Sequence, residues 1–410
     1  MGILISKILG VVGLIVLVGI AFLLSDNKKK INWKLVGIGV AVQIAFALLI
    51  LKFPPGRWFF EQLSNVITKI LDFTREGTTF LFGSLMDADK FGVIFALQVL
   101  PTIIFFSSLM SVLYHLGIMQ AVIRVVAKGI AKLLGTSGAE TTSAVGNIFL
   151  GQTEAPLLIK PYIKNMTKSE VLTIMVGGMA TVAGGVMAGY VAMGINAGNL
   201  LAASIMAAPA GLVVSKIICP ETEEPATKGN TDVQLEVTSS NVIEAAANGA
   251  SEGLGLALNV GAMLLAFIAL IALINYVLGL AGGVFGFPQF SLNWILGRLF
   301  APIAFIIGVP MQDVLTAGGL FGQKVAINEF IAYSELSKLI ASGALQQKTI
   351  AVMTYALCGF ANLSSIAIQI GGIGGLAPEK KPLIAKFGVK ALIGGTLANL
   401  MTATIAGILF

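Results

Sequence analysis

Apolar segments with few charged residues recur along the chain, and each is long enough to cross a lipid bilayer. About 20 apolar residues in a helix cover the hydrocarbon thickness of a membrane. The pattern predicts eight transmembrane helices, with approximate bounds 3–24, 33–52, 91–115, 170–195, 198–218, 256–282, 349–371 and 387–410. The predicted fold class is therefore an all-α polytopic membrane protein.

Composition supports this class over a soluble one. Only 11% of the residues are charged and 56% are hydrophobic, whereas soluble domains carry about 25% charged residues. The net charge of +6 sits in short basic clusters between apolar runs, which is a feature of membrane topology and gives no reason to expect a nucleic-acid partner. The two cysteines, Cys219 and Cys358, are far apart in sequence and indicate neither a disulfide framework nor a metal site.

The basic clusters also predict the orientation of the chain. Lys28–Lys30 place the first loop in the cytoplasm, and the clusters at 124–132 and 160–168 lie on the same face. Region 137–165 must then enter and leave on that face, as a re-entrant hairpin. By the same reasoning, region 302–342 is a second hairpin, entered from the outside.

Three further segments are too polar to span. Segments 53–90 and 118–134 have helical apolar spacing with charges between, which is typical of helices at the membrane interface. Segment 220–248, which contains Asp232 and Glu236, is predicted to be a cytoplasmic connection.

The two hairpin regions share one layout. Each holds a single carboxylate, and each precedes a span with a polar, glycine-rich interruption, at 179–185 and at 359–365. Because the halves enter from opposite faces, the pattern indicates an inverted repeat with broken helices. An ionised carboxylate at the bilayer centre costs at least about 2.5–3.5 kcal/mol, so Glu154 and Glu329 predict a cavity that binds a polar solute. This indicates a secondary transporter driven by an ion gradient.

Three motifs resemble those of the concentrative nucleoside transporter family. They are GQTEAPLL at 151–158, GQKVAINEFIAY at 322–333 and CGFANLSSI at 358–366. The motifs are long and occur in the family's order, and the resemblance covers most of residues 90–410.

The resemblance implies a homotrimer with elevator-type alternating access that imports nucleosides such as uridine, cytidine and adenosine with sodium, or with protons in some members. It implies a bacterial cytoplasmic (inner) membrane location and no cofactor besides the coupling ion. The division it implies is 1–135 as scaffold, 136–218 as the first transport half, 219–300 as connection and scaffold span, and 301–410 as the second transport half.

The resemblance also implies site residues. The nucleobase contacts would be Gln152, Thr153, Glu154 and Val186. The ribose contacts would be Glu329, Asn362 and Ser365, with Phe360 lining the pocket. The sodium ligands would be the side chains of Asn147 and Thr181 and the carbonyls of Leu150 and Val182. The balance between purines and pyrimidines stays open.

Other classes fit less well. An intramembrane enzyme would need catalytic groups. The sequence has one histidine, His115, and contains neither a nucleophile motif nor a cluster of metal ligands. A channel would not need paired carboxylates. A carrier of anions would want a cationic site residue, for which Lys324 is the sole candidate in the motifs and is expected to be structural.

Overall fold

The computed structural model describes residues 2–91, 94–229, 239–284, 286–287 and 289–410. These residues form helices and turns and contain no strand, which confirms the predicted all-α fold. The helices are α1 Gly2–Leu23, α2 Trp33–Leu51, α3 Pro54–Phe82, α4 Ala88–Phe91, α5 Phe95–Gln98, α6 Leu100–His115, α7 Ile118–Leu134, α8 Gly138–Gly146, α9 Lys160–Ile163, α10 Lys168–Ala180, α11 Gly184–Ala192, α12 Ala197–Ile218, α13 Val242–Val284, α14 Leu292–Ile306, α15 Val314–Ala326, α16 Glu329–Ala341, α17 Gln347–Leu357, α18 Leu363–Leu376 and α19 Lys381–Leu409.

Several segments are long and apolar enough to cross a bilayer. They are 33–51, 95–115, 168–192, 197–218, 242–284 and 378–409, and shorter apolar helices lie at 7–23, 292–306 and 363–376. α13 has 43 residues, so at about 1.5 Å per residue it is roughly twice as long as the hydrocarbon layer is thick. The predicted sixth span is therefore only part of a longer helix. Asp232 and Glu236 of the predicted connection lie outside the described residues.

The predicted interruptions coincide with real breaks in two helices. The chain leaves the helix between α10 and α11, at residues 181–183, and between α17 and α18, at residues 358–362. Each break is followed by a new helix, so each supplies one helix C-terminus and one helix N-terminus inside the packed protein. The N–H groups at a helix N-terminus and the carbonyl groups at a helix C-terminus have no hydrogen-bond partner within their own helix.

The second hairpin begins later than the sequence predicted. The predicted start at residue 302 lies inside α14, which continues through Pro302 to Ile306. Gly308, with φ +89°, then turns the chain in a conformation that favours glycine, and the hairpin itself consists of α15 and α16. The predicted boundary between residues 300 and 301 also falls within α14.

The centre of the molecule is formed by α10, α11, α12 and α19. The hydrophobic windows of segment 168–192 and of α12 are buried almost completely, and that of segment 378–409 is mostly buried. α6 and α13 pack against each other, and α13 leaves many apolar side chains exposed, among them Leu258, Leu265 and Leu273. The central helices therefore hold the breaks, and the outer helices present apolar faces to the surroundings.

Asn399 of α19 and Lys324 of α15 connect the two breaks. Asn399 Nδ2 donates to the carbonyl oxygens of Ala180 (2.6 Å) and Cys358 (2.8 Å). Lys324 Nζ donates to Asn399 Oδ1 (2.7 Å) and to the carbonyl oxygen of Ala356 (2.8 Å). The pair thus satisfies carbonyls at the C-terminal ends of both α10 and α17, and the fully buried Lys324 has the structural role expected of it.

A buried ionic cluster holds the base of the first hairpin. Lys216 Nζ lies 2.8 Å from Glu140 and 3.2 Å from Glu221, and the backbone N–H of Ala139 donates to Thr227 Oγ1 (3.1 Å). Segment 220–229, to which the sequence assigned no chemistry, therefore anchors α8. The sequence did not reveal this, because acidic residues in a polar segment look the same whether they are solvated or paired.

Replacing Asn399 should destabilise the protein. In Asn399→Ala two carbonyls lose their donor and the Lys324 ammonium loses an acceptor, and a buried unpaired group costs about 1–3 kcal/mol. We expect the thermal unfolding midpoint of the detergent-solubilised protein to fall by several degrees. Thr402→Ala is the matched control on α19, since it removes a buried hydroxyl that bonds only within its own helix. Equal midpoints for the two variants would contradict the proposed link.

Candidate functional site

A cavity of about 160 Å³ lies where the two halves meet. Its wall contains all eight residues that the sequence predicted as substrate contacts. They come from both hairpins, from the second break and from α11 and α18. Glu154 and Glu329 therefore face one cavity. The wall consists of Gly151, Gln152, Thr153, Glu154, Ala183, Val186, Leu256, Val260, Met263, Leu264, Asn328, Glu329, Phe330, Phe360, Asn362, Ser364, Ser365 and Ile368.

Glu329 is held firmly at one end of the cavity. It is the first residue of α16, whose N-terminus is capped by Asn328, and a helix N-terminus stabilises a carboxylate. Its Oε2 accepts from Asn362 Nδ2 (2.9 Å) and its Oε1 accepts from the Tyr190 hydroxyl (3.1 Å). Each oxygen keeps a lone pair, so the carboxylate is positioned and still able to accept hydrogen bonds from a ligand.

Asn362 connects Glu329 to the start of α18. Its Oδ1 accepts from the backbone N–H of Ser365 (2.9 Å) and from the Ser364 hydroxyl (2.7 Å). Because a backbone N–H can only donate, Oδ1 must face Ser365, and Nδ2 must then face Glu329. The sequence left open whether Asn362 merely packs in a span. The structure shows that it caps a helix and binds the carboxylate at once.

The other end of the cavity is formed by the tip of the first hairpin. Gln152 Nε2 donates to Ser365 Oγ (3.0 Å), and Gln152 Oε1 accepts from Gln369 Nε2 (3.1 Å). Glu154 Oε2 accepts from the backbone N–H of Gly151 (3.0 Å). Glu154 is exposed whereas Gln152 is buried, so Glu154 presents an accessible carboxylate to the cavity.

The remaining wall is apolar. Val186, Phe360 and Phe330 contribute to it, together with four side chains of α13. The sequence did not predict the α13 residues. They lie on one apolar helix face, and the sequence pattern of such a face is the same whether it contacts lipid or lines a cavity. The sequence also did not predict Tyr190 and Gln369, which stand in apolar runs without a motif.

Asn147 has an unpaired oxygen next to the first break. Its side chain is fully buried, and Nδ2 donates to the carbonyl oxygen of Ser143 (3.0 Å), but Oδ1 has no hydrogen-bond partner. Buried polar groups are rarely left unpaired. The hydroxyl of Thr181 donates to the carbonyl oxygen of Gly177 (3.0 Å), which leaves its own oxygen able to bind a cation.

The two predicted carbonyl ligands lie in neighbouring irregular segments. Leu150 follows α8 and Val182 lies in the break after α10, and no hydrogen bond of the described residues uses either carbonyl oxygen. A bond from the Gly184 N–H to the Phe149 carbonyl (2.9 Å) joins the two segments. The predicted ligands are an amide oxygen, a hydroxyl and two carbonyls, and neutral oxygen donors of this kind suit a hard cation.

Two broken helices with a polar cavity between them define a class of protein. Irregular backbone at membrane depth is tolerated where it is buried in protein or lines a cavity, and this arrangement is typical of secondary transporters. The fold and the site together place the chain among integral membrane transporters.

Family models identify the particular kind. The model for the N-terminus of Na+ dependent nucleoside transporters matches residues 12–85, that for nucleoside recognition matches 96–197, and that for the transporter C-terminus matches 199–407. The chain belongs to the Na+ dependent nucleoside transporter family, as its motifs predicted. It is accordingly a nucleoside transporter and not an enzyme.

Relatives match along nearly the whole chain. Nucleoside permease NupC of Helicobacter pylori is 46% identical, with 98% of each chain covered. Solute carrier family 28 member 3 of Homo sapiens is 41% identical over 97% of this chain and 59% of its own length. CNTnw in an inward-facing substrate-bound state has a TM-score of 0.93 at 47% identity, covering 99% of this chain and 98% of its own. A CNTnw variant in an outward-facing state has a TM-score of 0.95 at 46% identity, covering 99% of both chains.

Removing the Tyr190 hydroxyl should weaken nucleoside binding. Tyr190→Phe leaves Glu329 with one donor instead of two, and a hydrogen bond to a charged group contributes about 1.5–3 kcal/mol. We expect the half-saturating uridine concentration for uptake into proteoliposomes to rise about tenfold or more. Tyr355→Phe is the control, because that hydroxyl is buried without a hydrogen-bond partner. Unchanged saturation in Tyr190→Phe would show that the hydroxyl does not support the site.

Proposed function

We propose that the protein imports nucleosides across the bacterial cytoplasmic membrane by symport with sodium. The observation that carries this proposal is the cavity shared by both halves, in which Glu329 is held by two donors and keeps lone pairs for a ligand. A nucleoside is uncharged and has a flat base and vicinal hydroxyls. Its hydroxyls can donate to a carboxylate in charge-assisted bonds, which are the strong kind.

The end of the cavity around Glu329 suits the ribose. Asn362 and Ser365 lie beside the carboxylate and connect to it by hydrogen bonds, so one polar surface can receive two adjacent hydroxyls. Phe360 supplies an apolar face next to them. We assign these four residues to the sugar.

The end formed by the hairpin tip suits the base. Gln152 and Thr153 can both give and accept hydrogen bonds, and Glu154 adds an accessible acceptor. Val186 provides apolar contact for the ring on the same wall. We assign these four residues to the nucleobase, with uridine, cytidine and adenosine as candidate substrates.

We assign sodium to Asn147, Thr181 and the carbonyls of Leu150 and Val182. The unpaired Asn147 Oδ1 supports this. Leu150 precedes Gln152 by only two residues, so a cation that joins the two irregular segments would also fix the hairpin tip. By linkage, a cation that favours the arrangement that binds nucleoside is itself bound more tightly when nucleoside is present. Sodium binding and nucleoside binding would thus be coupled through the hairpin tip that contains Leu150 and Gln152.

We further propose how the chain moves and assembles. Parts 136–218 and 301–410 would carry the cavity across the membrane as an elevator, against a scaffold formed by 1–135 and 219–300. The exposed apolar side chains of α13 would contact lipid and the other subunits of a homotrimer. Solved states of CNTnw described as inward-facing, intermediate and outward-facing support such a motion by analogy.

Glu329→Gln should abolish uptake. An amide has one accepting oxygen instead of two, so either the Tyr190 hydroxyl or Asn362 Nδ2 would lose its acceptor, and ligand hydroxyls would lose a charged acceptor. Since each charged hydrogen bond is worth about 1.5–3 kcal/mol, labelled uridine uptake should fall by more than about tenfold while the protein still assembles. Glu335→Gln on the same helix, whose carboxylate pairs with Lys338 at the surface, is the control. Full uptake by Glu329→Gln would refute the assignment.

Asn147→Ala should raise the sodium concentration for half-maximal uptake. The change removes one of four proposed oxygen ligands without touching the cavity wall. Uridine uptake measured against sodium at fixed membrane potential tests this, with the exposed Asn165→Ala as control. The alternative is proton coupling, for which Glu154 is an accessible carboxylate. A uridine uptake rate that does not depend on sodium but increases with an imposed pH gradient would support that alternative and overturn the sodium assignment.

A further inference from the structure

We propose that Gln369 is a positioning residue that fixes the amide of Gln152 and so sets which nucleobase the cavity prefers. The proposal rests on nucleoside transport and on the assignment of Gln152 to the base. Gln369 lies on α18 outside the cavity wall, and it is fully buried. It belongs to no motif, and its role emerges from two contacts.

The orientation of the Gln369 amide is unambiguous. Its Nε2 donates to the backbone carbonyl of Met175 (2.9 Å) and to Gln152 Oε1 (3.1 Å). A carbonyl oxygen can only accept, so the nitrogen of the amide must face Met175. α10 thus supplies a fixed acceptor that orients Gln369.

Gln369 in turn orients Gln152. With the nitrogen of Gln369 on one side, Gln152 must present its Oε1 there, and its Nε2 then points to Ser365 Oγ (3.0 Å). A flipped Gln152 would bring two NH₂ groups together. The remaining donor and acceptor sites of Gln152 therefore occupy fixed positions at the cavity.

Packing leaves the hairpin tip little freedom to adjust. A Cβ built on Gly178 would lie 2.8 Å from Gln152 Cβ and 3.1 Å from Gln369 Nε2. A Cβ on Gly372 would lie 2.4 Å from Thr153 Cγ2. α10 and α18 hold the tip on both sides through these glycines, so the amide of Gln152 is the part that could still rotate.

A fixed amide distinguishes uracil from cytosine. Uracil offers a donor at N3 and an acceptor at O4, whereas cytosine offers an acceptor at N3 and a donor at N4. A glutamine held one way complements one pattern, and a glutamine free to flip complements either. Removing the anchor should therefore relax discrimination without removing a substrate contact.

The test compares kcat/KM for uridine and cytidine in proteoliposomes. In Gln369→Met the ratio should move toward one by about threefold to tenfold, the range expected for one neutral hydrogen bond. Gln43→Met is the matched control, since Gln43 is a fully buried glutamine of α2 without a hydrogen-bond partner, and its ratio should stay at the wild-type value. A wild-type ratio already within about twofold of one, or an unchanged ratio in Gln369→Met, would overturn the proposal.

A second comparison separates positioning from general structure. In a Gln152→Met background, Gln369→Met should no longer change the ratio, because the amide through which it acts is gone. If that background does not transport, the ratio of dissociation constants from nucleoside-induced thermal stabilisation replaces it. A further shift in the double variant would sink the proposal. Absence of wild-type uptake of either nucleoside would instead sink the proposed function itself.

Discussion

The fold depends on satisfying the backbone where two membrane helices break. Lipid offers no partner for a free carbonyl, so each break needs a donor from the protein. Asn399 and Lys324 supply donors for carbonyls at the ends of both α10 and α17. One pair of side chains therefore secures both halves of the repeat. Gly359 permits this, because a Cβ there would lie 2.3 Å from Asn399 Oδ1.

With the C-terminal ends satisfied in this way, the N-terminal ends are free to build the cavity. Asn328 and Asn362 cap α16 and α18, and the second also donates to Glu329. The break after α10 is joined to the segment after α8 by the bond from the Gly184 N–H to the Phe149 carbonyl. The first hairpin therefore contributes both to the cavity, through Gln152, Thr153 and Glu154, and to the candidate ion site, through Asn147 and Leu150.

Much of the fold was predictable from the sequence, because segments of irregular backbone are polar and glycine-rich within an otherwise apolar chain. The hairpins and both breaks carried such signals, whereas the eight cavity residues were predicted from the resemblance of the motifs to a known family. The start of the second hairpin did not, since α14 continues through Pro302 and only the conformation of Gly308 ends it. Tyr190 and Gln369 gave no signal either. The role of a polar group on a buried side chain depends on its hydrogen-bond partner, and that partner comes from a distant part of the sequence.

A chain of hydrogen bonds connects the two ends of the cavity. Hydrogen bonds run from α10 through the hairpin tip and α18 to α16 and back to α11, by way of Met175, Gln369, Gln152, Ser365, Asn362, Glu329 and Tyr190. Buried networks of this kind are favourable only when every member is satisfied. Neighbouring hydrogen bonds in such a network also polarise one another, so a change at one end of the cavity affects the groups at the other end.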